Sequence, residues 1–197
     1  MSDEVKKYGL TMKETVPPKT LWTIGHSTHS STYFMSMLKA FDIEVLADIR
    51  KLPGSRKYPH FNQENLKETL LENGIVYLYL PELTGRRKAR PDSANTAWRN
   101  QSFKGYADYM ETADFMHGIQ SLIAVASEKR TAIMCAEAVW WRCHRSMVAD
   151  YLKSIGWTVI HILDDNKCKI HPYTSAANTE TGKLNYHGNS TLLTPKP

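Results

Sequence analysis

The residues best equipped for chemistry lie close together: Cys135, Glu137, Arg142, Cys143, His144 and Arg145. Cys135 ends the apolar run Thr131–Cys135, which reads as a strand. Cys143 falls just before a helical pattern running from Ser146 to Ser154. The first amides of a helix lack intrahelical partners and favour negative charge. A thiol placed there ionises more readily, and Arg142 and Arg145 push it further in that direction. Such a thiol is a nucleophile or a redox centre, with His144 or Glu137 carrying protons.

The same donors suit zinc or iron, with Glu137 as a fourth ligand or a base. Their spacing argues otherwise. Seven residues separate the two cysteines, Cys143 adjoins His144, and helical neighbours point about 100° apart. No metal and no cofactor is therefore assigned. The plainest alternative is that Cys135 is a buried strand cysteine and Cys143 an incidental one.

Basic residues form a second group. Arg50 and Lys51, then Arg56 and Lys57, flank the break at Pro53-Gly54, and Arg86, Arg87, Lys88, Arg90 and Arg99 occupy a long polar stretch beside Trp98. With Tyr58, His60 and Phe61 nearby, cations alternate with flat rings, as a phosphate backbone with stacked bases requires. His26 and Ser27 offer an imidazole and a hydroxyl after the first strand, as a polar anchor or as structural residues. His161 lies inside a strand pattern and reads as a core histidine, while His171-Pro172-Tyr173 is expected to fold over the rim.

These groups need positioning elements. Strand patterns fall at Leu21–Ile24, Val45–Ile49, Ile75–Leu80, Thr131–Cys135 and Trp157–Leu163. Between them lie helical patterns: one from Ser30 or Ser31 with Phe34, Met37, Leu38 and Phe41 on one face, one from Asn62 to Asn73-Gly74, and others over 103–127 and 146–154. The alternation predicts an α/β domain: a mostly parallel five-stranded sheet with helices on both faces. Residues 1–18 read as a polar leader, 19–170 as a single domain, and 171–197 as a tail packing on it or extending from it. Ligands of open parallel sheets bind beyond the carboxyl ends of the strands. That rim collects His26-Ser27, Asp48 and Arg50, Glu82, Cys135 and Glu137, and Asp164-Asp165.

Composition narrows the classes. The chain has 197 residues, 42% apolar and 23% charged, and a net charge of +5. No apolar run approaches the roughly 20 residues of a membrane span, and the polar start carries no secretory signal. Three cysteines are an odd number and read as thiols in a reducing, cytoplasmic setting. The basic balance favours anionic partners. Walker-type loops, dinucleotide fingerprints, zinc-finger spacings and His-Glu-x-x-His motifs are all missing.

Taken in order, Thr23-Ile-Gly-His-Ser27, Asp48-Ile-Arg50, Pro53-Gly-Ser-Arg56, Phe61, Met134-Cys-Ala-Glu137 and Cys143-His-Arg145 resemble the domain of unknown function 488 family. The match extends from about residue 21 to His171-Pro172. The resemblance implies a compact α/β domain, widespread in microbes and mostly uncharacterised. It marks as matching positions His26, Ser27, Asp48, Arg50, Ser55, Arg56, Cys135, Glu137, Cys143, His144 and Arg145. Trp140 and Trp141 stand between the matched cysteine motifs, placed to shape a pocket for a flat group. The expectation is an enzyme acting on a phosphate-bearing substrate, a nucleotide or nucleic acid, with no membrane partner. Arg50, Arg56, Arg142 and Arg145 would bind its oxygens, and Cys143, Glu137 and His144 would carry the reaction. The alternatives are a non-catalytic nucleic-acid-binding module and a metal-dependent hydrolase.

Overall fold

The computed structural model describes residues 17–188, so the polar leader lies almost wholly outside the described residues. β1 (Thr20–Gly25), β2 (Val45–Asp48), β3 (Val76–Tyr79), β4 (Thr131–Cys135) and β5 (Thr158–Ile162) are parallel. β6 (Cys168–Ile170) returns antiparallel along β5, giving the order β3-β2-β4-β1-β5-β6. The α/β architecture is as expected, with six strands where five are legible. β6 has three residues, only partly buried, and no apolar alternation to announce it.

The helices are α1 (Ser31–Ala40), α2 (Gln63–Glu72), α3 (Gln101–Met110), α4 (Ala113–Ala126) and α5 (Arg145–Ser154). Ser30 caps α1 by accepting from the Tyr33 amide. Asn62 stands at the start of α2 but does not cap it with its side chain, because Oδ1 accepts from the Ser55 amide at 2.6 Å instead. The pattern over 103–127 is two helices: Thr112 restarts the chain by accepting from the Phe115 amide. α3 begins earlier than its apolar residues suggest, because Asn100 caps it through the Ser102 and Phe103 amides.

The central strands are buried on both faces, hence their nearly unbroken apolar runs. Trp22, Ile24, Leu46, Ala132, Met134 and Ile160 pack against the layer of α1 and α2. Leu21, Ala47, Ile133 and Val159 pack against α3, α4 and α5. β4 lies between β1 and β2, whose connections go to the α1–α2 layer, whereas its own leads to α5 on the opposite face. The chains leaving β4 and its neighbours therefore diverge, which opens a crevice beyond the carboxyl end of β4. Ala136, Glu137, Arg142, Cys143 and His144 line part of it.

Candidate active site

Cys143 sits where an extended chain turns into α5. Its own dihedrals are extended (φ −133°, ψ 144°), while His144 is already helical (φ −57°, ψ −18°). The Cys143 carbonyl accepts from the Ser146 amide, and its sulfur lies beside the amide and charge of Arg145, which favour the thiolate. Burial opposes ionisation of this thiol. The hydrogen bond from Cys135 and the charge and amide of Arg145 outweigh it and bring the thiol down to about 7. Cys135 moves the opposite way: donating to Cys143 and being buried both push it up. The pair thus separates into a donor thiol and an ionisable one.

His144 completes the arrangement. Nε2 lies 3.1 Å from the Ile49 carbonyl oxygen, so this nitrogen carries the proton and donates it. Nδ1 is then the acceptor, 3.6 Å from Cys143 Sγ. The ring is held edge-on to Tyr106 and directly against Gly85, where a β-carbon would lie 2.7 Å from Nδ1. Because Cys143 is extended rather than helical, the expected divergence of adjacent side chains does not occur. The two sulfurs and a nitrogen of His144 all lie within 4.8 Å of one another. A thiophilic metal ion such as zinc would find three of its preferred donors there.

Arg145 is 1% exposed and braces the loop: Nη1 donates to the Glu137 carbonyl at 2.6 Å and Nη2 to the Ala138 carbonyl at 2.9 Å. Its Nε is buried with no hydrogen-bond partner among the described residues. Gly25 permits this packing, since a β-carbon there would fall 1.9 Å from the Glu137 oxygen. The amides of Glu137, Ala138 and Val139 donate no backbone hydrogen bond among the described residues.

Beside this centre, Asp48 and Arg50 form a buried clasp. The Asp48 carboxylate accepts from the Arg50 amide, Nε and Nη2 and from the Tyr77 hydroxyl. Arg50 Nη1 donates to the Phe61 carbonyl at 2.8 Å and to His26 Nε2 at 3.2 Å. His26 Nδ1 donates to the Ser27 carbonyl, and its ring stacks on Phe61. Burial, reinforced by the Arg50 charge, lowers His26 to about 4, so it is neutral near pH 7. Arg50 is thus largely spent inside the protein. Ser27 holds a positive φ of 49°, and its amide donates to the Ala136 carbonyl, tying β1 to the loop.

Above Cys143 opens a cleft of about 360 Å³. Cys135, Glu137, Arg142, Cys143, His144, Arg50, Lys51, Gly85, Arg86 and Phe103 are among the residues that line it. Lys51, Arg86 and Arg142 are exposed at this rim, and Arg86 adopts a positive φ of 59°. Other candidates stand apart. Arg56 is exposed and lies outside the lining. Ser55 Oγ accepts from the Tyr58 amide in its own turn. Trp140 turns inward and stacks flat on His161 at 4.3 Å, while Trp141 is 55% exposed, so neither walls the cleft. In the 86–90 cluster, Arg87 lies 3.7 Å over the Tyr109 ring and Arg90 pairs with Glu111 at 2.7 Å.

Behind the site runs a buried chain of hydrogen bonds. Asp150 accepts from His171 Nε2, from the amide and hydroxyl of Thr174 and from the Tyr186 hydroxyl; His171 Nδ1 meets His161 Nε2, and His161 Nδ1 meets Thr23. His171 therefore lies in the interior, not over the rim. Residues 10 or more positions apart in sequence make this chain, and no local pattern signals it. Gly85 and the Ile49 carbonyl were equally silent, since a backbone oxygen has no side-chain signature.

With the geometry in view, comparison with known proteins adds a family. Residues 30–152 match the model described as Domain of unknown function DUF488, and the chain belongs to that family. No curated protein and no solved structure matched. Among the described residues, no helix is long and apolar enough to cross a membrane.

Proposed function

We propose that this protein is a thiol-dependent enzyme acting on a phosphate-bearing substrate, with Cys143 as nucleophile. One observation carries the reading: a thiol lowered to about 7 stands 3.6 Å from an imidazole nitrogen free to accept its proton, at the bottom of a cationic cleft. The cleft is within the size range of small-molecule sites. Lys51, Arg86 and Arg142 supply charge for anionic oxygens, and the Glu137 amide, which donates no backbone hydrogen bond among the described residues, supplies a further donor.

In this reading Cys143 passes its proton to His144 Nδ1. The thiolate attacks phosphorus, forming an S–P bond as the P–O bond to the leaving group breaks. His144 returns the proton to the leaving oxygen. Water then attacks phosphorus, and a P–O bond forms as the S–P bond breaks. Glu137 takes the water proton and passes it to the departing thiolate, which regenerates the thiol. The test is hydrolysis of phosphate mono- and diesters, including nucleotides and single-stranded oligonucleotides, by wild type and Cys143→Ser. Loss of turnover in the variant supports the reading; equal turnover removes it.

A second reading has its own support. Three soft donors lie within 4.8 Å, and His144 donates its other nitrogen to a backbone carbonyl, as metal-bound histidines commonly do. Against it stands Arg145, whose buried charge faces Cys143 and opposes a cation there. Elemental analysis of protein purified with its thiols reduced decides between the two: stoichiometric zinc or iron favours a metal-dependent hydrolase.

The nucleic-acid-binding module loses ground on the same geometry. Arg87 lies over the Tyr109 ring, Arg90 pairs with Glu111 at the surface, and Phe61 is buried against His26.

A further inference from the structure

Catalysis by Cys143 assigns no task to Cys135 beyond donating a hydrogen bond. Cys135 ends β4 in the core of the sheet, whereas a plain donor could equally be a serine. Three features single out the pair. Their sulfurs lie within 4.8 Å, both residues line the same cleft, and their exposures are only 8% and 3%. A small oxidant reaches Cys143 through the cleft, and Cys135 is the thiol already beside it. An oxidised Cys143 therefore meets Cys135 before any thiol from solution. Cys168 stands elsewhere, on the edge strand β6, and is absent from the lining.

We infer that Cys135 is a resolving cysteine, and that hydroperoxides convert the Cys135–Cys143 pair into a reversible disulfide that switches the site off and protects it. The inference rests on Cys143 being the reactive thiolate proposed above. Its sulfur attacks one oxygen of the hydroperoxide. An S–O bond forms, the O–O bond breaks, and the departing oxygen leaves as water or an alcohol after taking the proton held by His144. Sulfur loses two electrons and the peroxide gains them, leaving a sulfenic acid. Cys135 then attacks that sulfur. The S–S bond forms, the S–O bond breaks, and the hydroxyl leaves with the Cys135 proton as water. The bridge removes Cys143 from His144 and Arg145, so it also abolishes the nucleophile. Closing it asks the loop 136–142 to bring the sulfurs together, and that loop is largely exposed. Without Cys135 the sulfenic acid remains open to further, irreversible oxidation.

The sequence makes the test direct. Trypsin cuts after Arg130, Arg142 and Arg145, so Cys135 and Cys143 fall on different peptides and a bridge appears as a cross-linked pair. The full chain is treated with hydrogen peroxide, digested without reduction and mapped by mass. Cys135→Ser, which keeps a hydroxyl donor to Cys143, and Cys168→Ser are run in parallel. The expected result is the linked pair in wild type and Cys168→Ser, with both thiols recovered on addition of dithiothreitol. In Cys135→Ser the link is lost, and Cys143 becomes sulfinic acid that dithiothreitol does not reverse. Three results overturn the inference: no link in wild type, a bridge to Cys168 instead, or equal irreversible oxidation of Cys143 with and without Cys135. Because the readout is peptide mass, its failure is separable from that of the proposed activity. A linked pair in a protein without phosphoesterase turnover sinks only the latter, and turnover without a linked pair sinks only the switch.

Discussion

Replacing Cys135 by alanine removes the hydrogen bond that most lowers the Cys143 thiol, and the consequence can be worked through. Cys143 stands at about 7 against an ordinary value of 9.0. At pH 7 about half of it is thiolate, where an ordinary cysteine with that value would be about 1% ionised, roughly a fiftyfold difference. A less basic thiolate is also a weaker nucleophile, and a Brønsted slope of about 0.4–0.5 returns about tenfold over two units. The net advantage at pH 7 is then about fivefold before access is counted, so the absolute rate is a poor test. The midpoint of the pH–rate profile is the better one. Losing a hydrogen bond to a charged group costs about 1.5 kcal/mol or more, which moves the Cys135→Ala midpoint up by about one unit. Iodoacetamide labelling of the Cys143 peptide across the range from about pH 5 to about pH 10, in a Cys168→Ser background, reads both midpoints. A wild-type midpoint at the ordinary value, or one unmoved by Cys135→Ala, refutes this account of the thiol.

The remaining predictions concern the supports of the site. Burial lowers His26 to about 4 and His161 to about 2, both below the ordinary 6.5. The unfolded chain therefore binds protons that the folded one refuses, and stability complete above pH 6.5 is lost as pH falls. The loss at pH 4 is up to about 3 kcal/mol per histidine, and urea midpoints should show a flatter acid limb in His26→Gln. Gly85→Ala places a methyl 2.7 Å from His144 Nδ1. It should displace the ring and cut turnover about tenfold or more with only a small change in melting temperature; unchanged turnover counts against His144 as proton acceptor. Asp150→Asn weakens the buried anchor of His171, Thr174 and Tyr186 at a cost of about 2–4 kcal/mol. Limited proteolysis should then cut faster between residues 172 and 188, and equal rates would count against the anchor.

How far the sequence speaks follows from what each feature depends on. The strand runs and helix faces are local, so the sheet and the rim carrying His26, Asp48, Arg50, Cys135 and Glu137 are legible before any coordinates. The geometry of Cys143 and His144 is not. Helical spacing predicts that they diverge, and the extended backbone at Cys143 brings them together. Arginines announce charge but not commitment: Arg50 is consumed by Asp48, Arg145 by two loop carbonyls, and Arg142 remains at the cleft. Trp140 is apolar and adjacent to the motif, yet it is drawn inward by the flat face of His161. Asn62 has the right type to cap α2 but spends its side chain on the Ser55 turn. Each misreading comes from a backbone turn or a contact that helix and strand periodicity do not encode.

Covalent attachment of substrate to Cys143 is the step on which the proposed function turns. It is tested most directly by acid-quenching wild-type protein during reaction with an activated phosphate ester and weighing the intact chain and its peptides. One phosphoryl group is expected on the Cys143 peptide, absent from Cys143→Ser at the same site. Turnover of the ester by a Cys143→Ala variant, with no adduct in wild type, would contradict it.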